Sequence, residues 1–252
     1  MNRFVRLIAT GAAVIVLALA AVGPLRAQAF SDSQRREIER IVKEYLLQHP
    51  ELLQEVVAEF EKRQAVADAD RHKAAVAQNR EALFNSQHHV TLGNPQGDVT
   101  LVEFFDYNCG YCKRALADKL ELLKTDPKLK VVIKEFPVLG PGSIEAAQVS
   151  IAVRMQDKSG KKYLEFHQKL LTGRGQADRA RALAAAKEAG LDVARIEKDL
   201  QSPEIKATLE ESMKLAEALG INGTPSYVIG ENVAIGAVGL AALKQQVEAA
   251  RR

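Results

Sequence analysis

Val102-Glu103-Phe104-Phe105-Asp106-Tyr107-Asn108-Cys109-Gly110-Tyr111-Cys112 is the stretch on which the reading of this sequence turns. Its first half ends an apolar run, Val99 to Phe105, of the length and composition of a buried strand. Its second half opens a helical pattern from about Cys109 to Lys124, and a second strand pattern follows from Leu129 to Phe136. Such a β-α-β unit calls for a parallel, buried pairing and an α/β fold. Cys109 and Cys112 stand three positions apart, on one helical turn, and are the only cysteines in the chain. As a staple the pair is nearly useless, because the stabilisation of a disulfide grows with the loop it closes and this loop is minimal. A redox pair is the better reading. Cys109 falls at a helix N-terminus, where unpaired backbone N–H groups and the helix dipole favour a thiolate. Cys112, one turn in, is expected to be more buried and to act as the resolving thiol.

The helix end supplies only ~0.3 to 2 kcal/mol toward an anion, so stronger activation needs further donors. The intervening Gly110-Tyr111 brings no cation, which points to a milder oxidant than a dithiol with a histidine between the cysteines. A metal site would have to recruit His88 and His89, but no second CxxC exists and neighbouring strand residues face opposite ways. No metal and no cofactor is therefore expected. His49, His72 and His167 lie in polar helical stretches and read as solvated.

Downstream, a long helical region from about 143 to 219 is punctuated by Gly160, Gly173, Gly175, Gly190 and Pro203. Two short strands follow, Tyr227 to Ile229 and Val233 to Ile235, and then a helix from Leu240 to Ala250. Upstream, Ser31 and Gln34 have capping-box spacing ahead of an apolar stripe, Ile38, Ile41, Val42, Tyr45 and Leu46. His49-Pro50 interrupts it, with Pro50 suited to a first helical position, and a second stripe runs through Leu52, Leu53, Val56, Val57 and Phe60. From Glu61 to Ala82 alanines and charges suggest a solvated stalk. The expected organisation is a segment 1–29, a helical extension over 30–87 and a catalytic domain over 88–252.

Charge locates the chain. Of 252 residues, 35 are Lys or Arg and 32 are Asp or Glu, for a formal charge of +3. That excess resides in Arg3, Arg6 and Arg26 of the first 29 residues, which hold no acidic residue. A charged start, an apolar run from Leu7 to Val22, a Gly23-Pro24 break and Ala27-Gln28-Ala29 make the pattern of a cleaved export signal. The run spans 16 residues, short of the ~20 a membrane helix needs. Without it the chain is formally neutral, which removes the case for a nucleic-acid partner, and the dithiol is placed in the periplasm, where disulfides persist.

The quoted stretch, with Gly223-Thr224-Pro225-Ser226-Tyr227 far downstream, resembles the DsbA family of exported thiol-disulfide oxidoreductases from about Val90 to Ala250. The resemblance implies a thioredoxin fold with an inserted helical subdomain, preceded here by an amino-terminal α-helical extension. It implies a cis proline at Pro225 facing the cysteines, and substrate contacts from Thr224, Gly110 and Tyr111. It also places Glu103 as the buried acid beneath the cysteines, a proton relay for Cys112; the competing reading pairs Glu103 structurally with a core lysine such as Lys134. The extension resembles that of ScsC-like members, some of them trimeric disulfide isomerases, and Thr224 is similar to the threonine of isomerases of the DsbC type. The expected partners are unfolded or misoxidised exported proteins, a membrane redox partner and further copies of this chain. A dithiol oxidase is the alternative enzyme; a helical holdase or a Cu(I)-binding protein is the alternative of another class.

Overall fold

A computed structural model describes residues 30–157 and 159–252; the expected export signal lies outside the described residues. The elements are α1 (Asp32–Gln48), α2 (Glu51–Gln78), α3 (Arg80–Phe84), β1 (Val90–Gly93), β2 (Val99–Phe105), α4 (Gly110–Thr125), β3 (Leu129–Glu135), α5 (Pro141–Gln156), α6 (Lys161–Thr172), α7 (Arg179–Glu188), α8 (Val193–Asp199), α9 (Pro203–Ala218), β4 (Ser226–Ile229), β5 (Asn232–Ile235) and α10 (Leu240–Ala250). The chain divides into two compact units at Lys62/Arg63. Among the described residues no helix is long and apolar enough to cross a membrane.

The first unit is helical. The capping box forms as its spacing suggests: the Gln34 backbone N–H donates to Ser31 Oγ at 3.3 Å and the Ser31 N–H to Gln34 Oε1 at 2.9 Å. Pro50 forbids continuation, so His49 leaves helical geometry and α2 starts at Glu51, one residue later than Pro50 itself would allow. Arg40 bridges Glu37 at 2.6 Å and Glu44 at 2.9 Å on the polar side. The apolar side is bare: α1 buries no residue, and Ile38, Ile41, Val42, Tyr45, Leu53, Val56, Val57 and Phe60 are all exposed.

The second unit is built on one mixed sheet of order β1-β3-β2-β4-β5. Among the described residues only β2 and β3 run parallel, the β-α-β pair expected from sequence; β1, β4 and β5 join antiparallel. β2 is covered on both faces. Leu101 and Phe105 face a core shared with α4 to α8 and α10, while Val102 and Phe104 face a second core with Val132, Phe136 and Val228. That second core is closed by Ala75, Val76 and Leu83, together with Leu215 of α9 and Leu219 just after it. The stretch expected to be a solvated stalk therefore ends as a covering layer of the sheet. Small residues conceal this in sequence, since an alanine-rich face packs closely without a conspicuous apolar stripe.

Candidate active site

Asp106, directly after β2, organises the turn into the dithiol. Its Oδ1 accepts from the Asn108 N–H at 2.7 Å and from Ser143 Oγ at 2.8 Å; its Oδ2 accepts from the backbone N–H of Val138 at 2.9 Å and Leu139 at 3.0 Å. Asn108 ties the same turn to the inserted helices, donating to Ser143 Oγ and the Ala177 carbonyl and accepting from the Ala177 N–H at 2.6 Å. Neither residue was singled out from sequence, since both act through contacts distant along the chain. A buried Asp just before a CxxC is the available signal.

The turn delivers Cys109 as the N-cap of α4. Its Sγ accepts the Cys112 backbone N–H at 3.3 Å, one of the helix donors that lacks a partner within the helix, and donates to the Thr224 carbonyl at 3.1 Å. Cys109 is 5% exposed and Cys112 1%, in the order expected. Burial pushes the Cys112 thiol far above its ordinary range, with a further upward push from the negative charge of Glu103. The Thr224–Pro225 bond is cis, and Pro225 is buried. Gly110 and Tyr111 are exposed, and the Arg114 guanidinium lies 4.3 Å from the centre of the Tyr111 ring. Val138, Leu139 and Ile144, beside the Asp106 anchor, are exposed apolar side chains.

Glu103 is buried, but its partner is Lys119 at 2.6 Å and not Lys134. Strand parity explains the difference. Lys134 lies opposite Phe104 in the β2–β3 register and therefore points to the other face, where it reaches Glu211 at 2.5 Å and the Ala82 carbonyl at 2.8 Å. Lys119 lies two helical turns beyond Cys112 on the same buried stripe, with Ala115 and Leu116 between them. His167 is not solvated, as its polar neighbours suggested, but 0% exposed, with Nε2 at 2.8 Å from Lys119 Nζ. Its signal is the spacing of Tyr163, Phe166, His167, Leu170 and Leu171, one apolar face of α6. His49 and His72 are partly exposed. His88 and His89 precede β1 and are not on it; His88 pairs with Glu204 at 3.0 Å. Among the described residues no three His, Cys, Asp or Glu side chains converge to hold a metal ion.

The DSBA-like thioredoxin domain matches residues 100–248, and the copper resistance protein ScsC N-terminal domain matches residues 34–67. A thioredoxin-like oxidoreductase from Silicibacter pomeroyi is 44% identical, with a TM-score of 0.65 over 69% of this chain and 98% of its own. ScsC of Proteus mirabilis in a transitional conformation is 29% identical, with a TM-score of 0.64 over 90% of this chain and 99% of its own. The Na(+)/H(+) antiporter NhaA of Herminiimonas arsenicoxydans is 30% identical over 162 residues, 64% of this chain; the match spans only 25% of the antiporter's length. The chain therefore belongs to the DsbA-like family of thiol-disulfide oxidoreductases, with an ScsC-type helical domain ahead of the catalytic one.

Proposed function

We propose that this protein is a periplasmic disulfide isomerase and reductase for misoxidised exported proteins, using Cys109 as nucleophile and Cys112 as resolving thiol. The observation that carries the reading is the placement of Cys109 Sγ between the Cys112 N–H and the Thr224 carbonyl, at the start of a helix and beside exposed Gly110 and Tyr111. The Cys109 thiolate attacks a substrate disulfide; one S–S bond forms to Cys109 as the substrate S–S bond breaks, and the other substrate sulfur leaves as a thiolate. If a substrate thiolate then attacks the substrate sulfur of the mixed disulfide, Cys109 departs unchanged and no net electrons move, which is isomerisation.

If Cys112 attacks Cys109 Sγ instead, the substrate leaves reduced and two electrons have passed from the dithiol, which a membrane redox partner must restore. Cys112 is held protonated by burial, so this escape waits on a base, the proposed part of Glu103. Thr224 and Pro225 offer an extended substrate a backbone edge, with Tyr111 alongside. Val138, Leu139 and Ile144 suit the apolar segments of unfolded chains.

The bare stripe on α1 and the start of α2 supports self-association, and Proteus mirabilis ScsC supplies the precedent of an extension of this type. Several active sites around one substrate favour shuffling over one-way oxidation. The test is turnover of a scrambled-disulfide substrate. Cys109→Ser is expected to reduce it to background while leaving any anti-aggregation activity intact; turnover that survives the substitution would overturn the assignment.

A further inference from the structure

The polar chain that begins at Glu103 does not stop at Lys119. Lys119 Nζ donates to Glu103 Oε2 at 2.6 Å and to His167 Nε2 at 2.8 Å. An ammonium has only donors, so Nε2 is the acceptor and the imidazole carries its proton on Nδ1, which donates to the Tyr107 oxygen at 3.2 Å. The Tyr107 hydroxyl is then free to donate to Ser150 Oγ at 2.9 Å, and Ser150 to Glu135 Oε1 at 2.5 Å. Tyr163 O–H donates to the same carboxyl oxygen at 3.1 Å. Every member is buried, and every hydrogen bond can point one way, from Lys119 to Glu135. The members come from β2, the turn after it, α4, α5, α6 and β3, so the inserted helices complete a chain whose other end lies under the dithiol.

We propose that His167 is a positioning residue for thiol-disulfide exchange: its neutral imidazole fixes the Lys119 ammonium against Glu103 and so sets the charge beneath Cys112. The inference rests on the dithiol reading given above. The imidazole is oriented by two further contacts, an edge-on Phe105 ring with centroids 4.8 Å apart and a stacked Tyr163 ring at 5.8 Å. The titratable groups that meet it are Lys119 from α4, Tyr107 from the turn after β2 and Tyr163 on its own helix; Glu135 of β3 follows through Ser150 of α5. α7, packed on the same helix, buries Ala182, Ala185 and Ala186 and directs Glu188 to Lys169 at 3.7 Å.

Burial and the Lys119 charge both oppose protonation of His167, so it stays an acceptor throughout the working range. At the far end, burial raises the Glu135 carboxyl to about 8, so near neutrality it keeps its proton, and the ion pair of this hydrogen-bonded network is Glu103 with Lys119.

The experiment is the reduction potential of the full chain against glutathione, followed from about pH 5 to about pH 10, together with turnover on a scrambled substrate. Changes of slope with pH mark groups whose protonation is coupled to the dithiol. His167→Phe keeps a flat ring but removes the acceptor. It is expected to move a change of slope along the pH axis by about one unit, the size of one lost charge-assisted hydrogen bond. His167→Gln, which again offers Lys119 an oxygen, is expected to restore the wild-type profile. A purely structural role would lower the urea midpoint of both variants and leave the profile in place.

Tyr107→Phe, which removes a single oxygen, gives a second reading should His167→Phe not fold; it is expected to shift the profile the same way by less. Unmoved profiles in folded variants, with active wild type, would overturn the role of His167 alone. An inactive wild type would overturn the function itself.

Discussion

Ile41, Val56 and Phe60 leave more than half of their surface in solvent on the amino-terminal helices, whereas Lys119, His167 and Glu135 are sealed inside the catalytic unit. In an ordinary domain the two sets would exchange places. Each inversion carries a free-energy cost that local structure does not recover. Bare apolar residues on α1 gain nothing from helix formation alone, and buried ionisable groups lose hydration. The first cost is the one that the proposed self-association would relieve; the second is relieved inside the catalytic unit, by a chain of hydrogen bonds with every partner in reach. The comparison separates two kinds of functional residue. One is visible as unmet demand for a partner, the other as a fully met and expensive arrangement.

The largest expected effect comes from breaking the buried side. Lys119→Met leaves Glu103 as an uncompensated carboxylate and is expected to cost about 3–5 kcal/mol in urea unfolding near neutrality. Replacing Glu103 by Leu in the same protein is expected to recover most of that loss, because the unpaired charge goes with it. Equal stability of Lys119→Met and wild type would mean that the pair is not what holds this floor.

On the exposed side, a Val56→Glu, Phe60→Glu variant places charges where a partner surface is expected, and each apolar side chain there is worth about 1.5–3 kcal/mol if buried. Light scattering is expected to show the wild type as an oligomer and the variant as a smaller species. Reductase turnover is expected to persist and isomerase turnover to fall. A monomeric wild type would remove the reason given for the bare stripe.

Glu135 sharpens the contrast through pH. Burial raises its carboxyl from an ordinary 4.5 to about 8, so between these values the folded chain holds a proton that the unfolded chain has lost. Its contribution is whole below about 4.5 and is lost as pH rises through about 8; stability should therefore fall across this window with a slope approaching one proton. Glu135→Gln is expected to flatten that slope in chemical denaturation at several pH values. An unchanged slope would mean that the carboxyl titrates normally.

The smallest effect lies at the start of α1. Ser31→Ala removes the side-chain half of the capping box and is expected to cost about 1 kcal/mol of helix stability, read by circular dichroism on heating.

Much of the molecule could be read directly from local pattern. The strand-dithiol-helix-strand order, the Ser31 box, the paired strands after Pro225 and the final helix all follow from short-range chemistry. Mixed pairing of the sheet did not follow, because β1 joins β3 and β4 joins β2 across long stretches of sequence. Glu103 was recognisable and its partner was not. Choosing between Lys119 and Lys134 requires strand parity on one side and the seven-residue repeat from Cys112 to Lys119 on the other. His167 was hidden by the polar residues that flank it along the chain, although its spacing from Tyr163 and Leu170 places it on the buried face. The end of α2 was hidden for the opposite reason, since Ala75 and Val76 close a core with side chains too small to stand out.

The dithiol at the head of α4 is tested by trapping its intermediate. Cys112→Ser removes the escape thiol, and incubation with a scrambled-disulfide substrate followed by acid quench and mass spectrometry is expected to show substrate bound through Cys109, with none bound once Cys109→Ser is added. Continued turnover with no adduct at Cys109 would contradict the mechanism at its first step.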